Sequence, residues 1–422
     1  MSKAEKNIIA YVMNLPPSVV PSVKAYQKIT GKKYKVMLIR DETTDPVHVL
    51  TGCDILVTCD FKKPRSIAEA LLPYQNALLA ISCRSEANIS RFAKVIPHVP
   101  YLRTPQSESL IWATDKYEMR KRFKLFDKSI TPKFTRVKNT TVGERKRVIS
   151  KIGFPMIIKP TNLAASLFVT ICYHEEELSR ALGIAFKKIV KAYENDKRIE
   201  EPKIIAEEYM EGDMYSIDSY VNSRGRVYHC PMVRVKTGKD IGHDDFFNYL
   251  QMTPTGLKQQ SIDKAHSVAE IAIRALGLKN TTTHTELMKI DDVWKIIEIG
   301  PRMGGFRDTL HQLSCDIDHS LNDILIRIPK KPIIPKKCKG FAAAMKWFTE
   351  KEGKIMEMKG IKKIEQLKSF HHIAVNKKVG DRAVFARNGG RSIFNVFLYN
   401  AERSKLLADI RRLEKLVQIK VK

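Results

Sequence analysis

Two glutamates, Glu286 and Glu298, flank the dipeptide Asp291-Asp292 in the segment HTELMKIDDVWKIIEIGPRMGGF (284–306). A loop over 291–293 pairs Ile290 with Trp294, Met288 with Ile296 and Glu286 with Glu298. The two carboxylates then stand opposite each other on one face of a hairpin, with Cβ atoms roughly 4.5–5.5 Å apart. Facing carboxylates repel unless a cation compensates, and magnesium takes oxygen ligands from one or two carboxylates beside a phosphate. The alternative is a solvated hairpin whose acids pair with lysines such as Lys289 and Lys295. Arg302 follows Glu298 by four residues, with Gly304-Gly305 just beyond. A guanidinium fork next to bare backbone N–H groups can hold an anion; the alternative is a surface turn.

Two lysines have the placement to reach a phosphate. Lys159 ends the apolar strand Met156-Ile157-Ile158 and precedes Pro160. Lys116 opens a helix, where its charge opposes the helix dipole unless an anion is bound there. In so lysine-rich a chain, an ordinary strand-end lysine competes with the phosphate reading for Lys159. Glu207 and Glu208 end a further strand and lead through Tyr209 and Met210 to Gly212. Such a turn offers backbone N–H and C=O groups to an adenine edge; its alternative is an edge strand with solvated acids.

The elements that must position these residues are legible from hydrophobic periodicity. Apolar strands at 7–13, 34–39, 54–59 and 76–82 alternate with amphipathic helices near 18–30, 66–73 and 86–95, which predicts a parallel sheet of βαβ units. Pro97, Pro100 and Pro105 punctuate the chain and set a boundary near residue 105. Beyond it, helices are predicted at 115–127, 143–151, 175–193 and 261–278, and strands at 154–160, 204–210, 215–221, 227–235, 283–290 and 293–299. Glu175, Glu176 and Glu177 suit the first turn of their helix. The stretch IPKKPIIPKKCKG (328–340) reads as a linker. A third lobe follows, with strands at 341–346, 371–376 and 392–399 and a helix at 401–416. The fold class is therefore α/β and α+β, with domains over 1–105, 106–328 and 329–422.

Composition narrows the function classes. The chain has 422 residues, 43% hydrophobic and 28% charged, which is a globular mix and not a disordered one. No apolar run approaches the ~20 residues that span a bilayer, and the opening segment reads as a strand, not a signal peptide. The seven cysteines are odd in number and form no C-x-x-C, so free, mostly buried thiols in a reducing cytoplasm are expected. The net charge is +28, and half of it falls between Lys336 and Lys422, where 22 basic residues meet 8 acidic ones. Those charges are interleaved with apolar positions, so a solvated face is favoured over a polyanion site. Only 8% of residues are aromatic and no recognition motif is present, which argues against a nucleic-acid partner. The P-loop, G-x-G-x-x-G, H-E-x-x-H and G-x-S-x-G motifs are absent.

In their order along the chain, DK opening a helix, FPMIIKP, AEEYMEGDMYSID and HTE…EIGPR resemble the ATP-grasp superfamily of ADP-forming ligases. The specific part of this resemblance spans about 105–310. The segments PYLRTPQSESLIWATDKYEMR and VGDRAVFARNGGRSIFNV extend it, toward the carnosine-synthase-like and bacterial L-amino-acid ligase branch. The resemblance implies an ATP-grasp fold with an N-terminal parallel-sheet domain and a C-terminal α+β lobe. It implies that Lys116 and Lys159 contact nucleotide phosphates, that Glu207 to Met210 form an adenine hinge between two subdomains, and that Glu286 and Glu298 bind magnesium (or manganese in its place). Arg302 would stabilise the transferring phosphoryl group. Three positions depart from the family pattern. Gly300 stands where Asn is usual. The phosphate loop reads TNLAASLF (161–168), with Ser166 and Thr161 as its side-chain donors. The ribose acid falls at Met214, leaving Asp213 or Asp218 to substitute.

The implied reaction is an ATP-dependent carboxylate–amine ligation through an acyl phosphate, with ATP and small carboxylate and amine substrates as partners. The family's frequent dimers make a homodimer compatible with the resemblance. The segment 237–254, carrying His243 and Asp244, is expected to line the substrate pocket. A nucleotide-binding relative with little ligase activity and a polyanion-binding protein are the competing readings.

Overall fold

The computed structural model describes residues 5–44, 51–163, 167–243, 245–349, 351–386 and 389–422. Four parallel strands open the chain: β1 (Ile8–Val12), β2 (Lys35–Asp41), β3 (Ile55–Cys59) and β4 (Leu78–Ser82), in the order β3-β2-β1-β4. Helices α1 (Val19–Thr30), α2 (Pro64–Leu71) and α3 (Ile89–Val95) supply the crossovers. All five residues of β1 are buried, as expected for a strand covered on both faces.

Next come α4 (Ser107–Thr114) and α5 (Lys116–Phe126). Asp115 caps α5 by accepting hydrogen bonds from the N–H groups of Tyr117 and Glu118. A four-stranded antiparallel sheet follows, ordered β5-β8-β6-β7, from β5 (Phe134–Val137), β6 (Met156–Pro160), β7 (Thr170–Cys172) and β8 (Ile204–Glu208). It packs on α6 (Val142–Ile152) and on α7 (Glu175–Asn195), whose three-glutamate first turn matches its dipole.

The largest sheet has nine strands. Its first part comprises β9 (Asp213–Val221), β10 (Val227–His229), β11 (Val233–Thr237), β12 (Asn248–Thr253), β13 (Thr281–Ile290) and β14 (Val293–Gly300). Helix α8 (Gln259–Ala275) buries Ala265, Ala269, Ala272 and Ile273 beneath it and is followed by Gly277 at φ 63°, the left-handed turn that stops a helix. Helices α9 (Arg307–Cys315) and α10 (His319–Arg327) lead onward. The same sheet then continues through β15 (Phe341–Trp347), so strand pairing crosses position 328, with Leu250 to Thr253 opposite Met345 to Ala342.

The remaining elements are β16 (Gly353–Lys359), α11 (Ile361–Ile364), β17 (Phe370–Val375), β18 (Arg382–Ala383), β19 (Phe394–Asn400), α12 (Arg403–Leu416) and β20 (Gln418–Val421). Strands β19 and β17 complete the large sheet, while β18, β16 and β20 form a small separate one. Among the described residues, no helix is long and apolar enough to cross a membrane.

Two expectations need correction. Cys315 and Cys338 are joined as a disulfide, while Cys53, Cys59, Cys83, Cys172 and Cys230 are free. An odd count excludes complete pairing but not one pair. The stretch 328–340 is also no loose linker. The N–H groups of Lys339 and Gly340 donate to Ser314 O, and Asn322 exchanges two hydrogen bonds with Ile333, which lays Cys338 against the end of α9.

Candidate active site

The start of α5 and the end of β6 bring two lysines to one cavity of about 400 Å3. Lys116 Nζ lies 2.9 Å from Glu298 Oε2 and donates to Leu163 O. Burial works against its charge, but Glu298 outweighs it and holds the ammonium above the ordinary lysine value. The helix-start conflict noted in the sequence is thus met by a carboxylate. Lys159 Nζ lies 2.7 Å from Glu207 Oε2. Burial there prevails over Glu207, and the Lys159 pKa falls.

Glu207 is consumed by this ion cluster. It receives Arg120 Nε and Nη2 as well as Lys159, while Arg120 also donates to the carbonyls of Ile296 and Ile297. Arg120 therefore ties α5, β8 and β14 together. Of the hinge residues, Glu208, Tyr209 and Met210 line the cavity alongside Glu207. Lys239 reaches the Tyr209 hydroxyl and sits over its ring, 4.3 Å from the centroid.

The carboxylate hairpin forms by a different register from the predicted one. The turn is Asp291-Asp292 alone, so Ile290 pairs with Val293, Lys289 with Trp294 and Leu287 with Ile296. A bulge between Glu286 and Leu287 restores the pairing of Glu286 with Glu298. Both glutamates line the cavity. Lys116, opposing the effect of burial, holds Glu298 at about 2. Among the described residues, Glu286 takes only a 3.4 Å contact, from His284 Nε2. Two hard oxygen donors facing one cavity fit magnesium completed by phosphate oxygens and water.

Beneath the hairpin lies a buried polar frame. Asp218 accepts from His284 Nδ1 (3.1 Å) and Gly304 N–H (2.7 Å), and lies 3.2 Å from Arg307 Nε. Arg307 also reaches Ser216 and Gln251. Asp218 counters the cost of burying His284 and raises the imidazole pKa. This frame corrects two readings. The Gly304 N–H is committed to Asp218 and is not offered to an anion; the glycine is needed because a Cβ there would overlap the His284 ring. Asp218, fully engaged and fully buried, is not placed to hold a ribose, and Asp213 pairs with Arg234 on the surface. Gly305 has open space around its α-carbon and passes its carbonyl to Arg307 Nη1.

Arg302 is half-buried and is not among the residues lining the cavity; it donates from Nε to Glu86 Oε2 at 2.6 Å and from Nη1 to Met303 O. Glu86 comes from the N-terminal sheet region, and a Cβ at Gly300 would stand 2.9 Å from that same oxygen. The glycine at the departing position therefore makes room for a carboxylate from elsewhere in the chain. His243 is not among the residues lining the cavity; its ring packs near Phe247 and Phe385. Its neighbours Thr237, Lys239, Asp240, Phe246, Phe247 and Asn248 do line it, and 248–253 is strand, not loop. Ser166 and Asp244 lie outside the described residues.

Sequence reasoning missed Glu86, Arg120, His284 and the cavity-lining Lys346, and gave Asp218 a different role. Two of them left a signal. His284 shares a strand face with Glu286 by the period of two, and Arg120 falls one turn after Lys116 within an otherwise apolar buried stripe. Glu86 and Lys346 reach the site by tertiary packing alone.

Residues 152–310 match the family model described as the ATP-grasp domain. The chain is 30% identical over 240 residues to the alanine–anticapsin ligase of Bacillus amyloliquefaciens, covering 54% of this chain and 49% of that one. The chain thus spans about half the length of that curated relative. Among solved structures, the L-amino acid ligase from Bacillus licheniformis superposes with a TM-score of 0.76 at 15% identity, over 99% of both chains. N5-carboxyaminoimidazole synthetase from Staphylococcus aureus, complexed with ADP, superposes at 0.66 with 12% identity, over 97% of both.

Proposed function

We propose that this chain, whose residues 152–310 form an ATP-grasp domain within an ATP-grasp fold, is an ADP-forming ligase joining a carboxylate to an amine. The observation that carries the reading is the convergence of Glu286, Glu298, Lys116 and Lys159 on one cavity. Its hinge residues Glu208 to Met210 offer a wall for adenine, and Lys239 closes that wall over Tyr209. Lys116 and Lys159 sit where they can meet the phosphates. Glu286 and Glu298 would hold magnesium, which would supply positive charge to the phosphoryl transfer. Arg302, kept in place by Glu86, offers its remaining N–H groups to the phosphoryl oxygens.

A substrate carboxylate oxygen attacks the γ-phosphorus of ATP, and the bond to ADP breaks. The amine then attacks the acyl carbon, and phosphate leaves with the C–O electron pair and takes up the proton that the amine nitrogen loses. The chain's own residues supply orientation and charge, and no side chain becomes covalently bonded, in keeping with the absence of a nucleophile motif. The acyl phosphate must be kept from water. Phe246, Phe247 and Asn248, from the segment that also carries His243 and Asp244, are assigned to the substrate side; Ser166 keeps the phosphate role and Gly305 the substrate role that the resemblance implies. The same reading divides the chain at residues 105 and 328. It takes the protein as a cytoplasmic enzyme, compatible with a homodimer, with neither nucleic acid nor membrane as partner.

The test is release of ADP and phosphate from Mg-ATP with pools of amino acids and other small carboxylates, comparing wild type with Glu298→Ala. Release that needs both a carboxylate and Glu298 supports the ligase. Binding of Mg-ATP without release from any pool would leave only a nucleotide-binding relative.

A further inference from the structure

Three metal-ligating side chains meet outside the set of residues that line the cavity: Cys230, His311 and His319. All three are buried, and one ligand atom from each lies within 4.8 Å of the other two. No short motif announces them, because they come from three separate elements. Cys230 sits between β10 and β11, where its N–H donates to Asp218 O. His311 lies on the buried side of α9 with Leu310, Ser314 and Cys315. Asp316 then turns the chain at φ 53°, Ile317 N–H returns to His311 O, and Asp318 caps α10, which opens on His319.

The hydrogen bonds around the rings orient them inward. His311 Nε2–H donates to Pro231 O at 2.9 Å, so its Nδ1 carries a lone pair. That lone pair faces His319 Nε2, 2.7 Å away. The other nitrogen of His319, Nδ1, is 2.7 Å from the Tyr220 hydroxyl, and the same hydroxyl hydrogen-bonds the Cys230 side chain. Outer nitrogens tied to a carbonyl and a hydroxyl, with inner nitrogens converging, are how ligating imidazoles are held on a metal. Burial keeps both rings well below the ordinary histidine pKa, His311 at about 4, so each is neutral and can offer a lone pair.

The donor set selects the ion. One sulfur and two imidazoles suit zinc and not magnesium, which sets this cluster apart from the carboxylates Glu286 and Glu298. Tetrahedral zinc, at about 2.0–2.1 Å from nitrogen and 2.3 Å from sulfur, needs donors roughly 3.3–3.6 Å apart, so the imidazole pair opens by about half an ångström. Cys315, one turn after His311, has its sulfur bonded to Cys338 and is not a donor. The fourth position is therefore left to water.

We propose that Cys230, His311 and His319 bind a zinc ion that joins the β10–β11 link to α9 and α10. The ion replaces the proton between the two rings. His319 carries its proton on Nδ1 and donates it to Tyr220 O, the Tyr220 O–H turns to the Cys230 thiolate, and the thiol proton passes to solvent. Asp218, whose carbonyl holds the Cys230 N–H, also holds His284 and Gly304, so the zinc backs the frame beneath the glutamate hairpin. This assignment stands whether or not the chain is a ligase.

The experiment uses the full chain, made without a histidine tag and exchanged into metal-free buffer, with metal content read by plasma mass spectrometry. The expected result is about one zinc per chain in wild type and in Glu286→Gln, and almost none in Cys230→Ser or His319→Gln. Cobalt(II) in place of zinc gives a thiolate charge-transfer band that Cys230→Ser abolishes. In wild type, Tm rises by about 3 °C when zinc exceeds its Kd a hundredfold, and magnesium does not reproduce the rise. Should the variants fail to fold, the wild-type titration decides: a charge-transfer band that saturates at one cobalt and is displaced by zinc supports the site. A wild-type chain that takes up neither metal leaves the cluster a hydrogen-bonded relay and overturns the proposal. So does zinc retained in both variants, or a cobalt spectrum without the thiolate band, since either places the ion elsewhere.

Discussion

Replacing Glu207 by glutamine separates the charge of the buried ion cluster from its packing, because the two side chains share a shape. Glu207 is 2% exposed and Arg120 is fully buried. The carboxylate accepts Arg120 Nε at 2.8 Å and Nη2 at 3.1 Å, and Lys159 Nζ lies 2.7 Å away. Burial alone would push this carboxyl up; Arg120 and then Lys159 outweigh it and hold it at about 2, against an ordinary 4.5. That difference corresponds to about 3 kcal/mol of preference for the charged form in the native state. Breaking a buried pair by removing one partner costs about 3–5 kcal/mol, which agrees. Glu207→Gln should therefore lose about 3 kcal/mol in urea unfolding at neutral pH, and roughly 3–4 °C in Tm for a chain of this length. The sign with pH is fixed by a folded pKa below the unfolded one. The stabilisation is complete above pH 4.5 and fades as pH falls through about 2, so the gap between wild type and variant should narrow over that window. A Tm within about 1 °C of wild type at neutral pH, or a gap that stays constant into acid, would refute the electrostatic account of this cluster.

Three further outcomes test the polar frame and the disulfide. Gly304→Ala places a methyl group 2.5 Å from His284 Cε1 and 3.0 Å from Arg307 Cγ, both pinned by Asp218, whereas Gly305→Ala meets open space. The first should cost about 1–3 kcal/mol in urea unfolding and weaken Mn2+ binding, read by electron paramagnetic resonance, while the second leaves both unchanged. Denatured but unreduced protein should show five reactive thiols, rising to seven after reduction, as one Cys315–Cys338 bond requires. Cys338→Ser should then lower unfolding free energy by about 3 kcal/mol for a 23-residue separation.

The parts of the fold that sequence made legible are those set by local periodicity. The strands of the parallel sheet, the α5 start at Lys116 and the α8 stop at Gly277 follow from alternation, capping and glycine. The facing of Glu286 and Glu298 was also legible, though by a route the pattern did not contain: a tighter turn and a compensating bulge yield the same pair. Gly304 shows the limit. A double glycine after an arginine reads as an anion nest, and only the tertiary position of Asp218, 86 residues earlier, shows the N–H already spoken for. Glu86 and Lys346 had no local signature, since an acid in a loop and a lysine in an alanine-rich strand look ordinary until the elements meet. Pairing between β12 and β15 was illegible for the same reason: nothing in a strand's own residues names a partner some 90 positions away.

That β12–β15 seam bears on how such a chain could change over time or be recombined. The stretch from Phe341 to Asn400 is stitched edge to edge into a sheet begun at Asp213, with Ala342, Ala343 and Ala344 fully covered. Removing it would strip four paired backbone positions from Leu250 to Thr253 and leave an open, apolar edge, the kind of surface that recruits foreign strands. A module joined this way cannot be shuffled like a bead on a string. Any replacement must bring an edge strand whose small residues match the neighbour it meets, so the lobe that carries Lys346 travels only with a compatible seam.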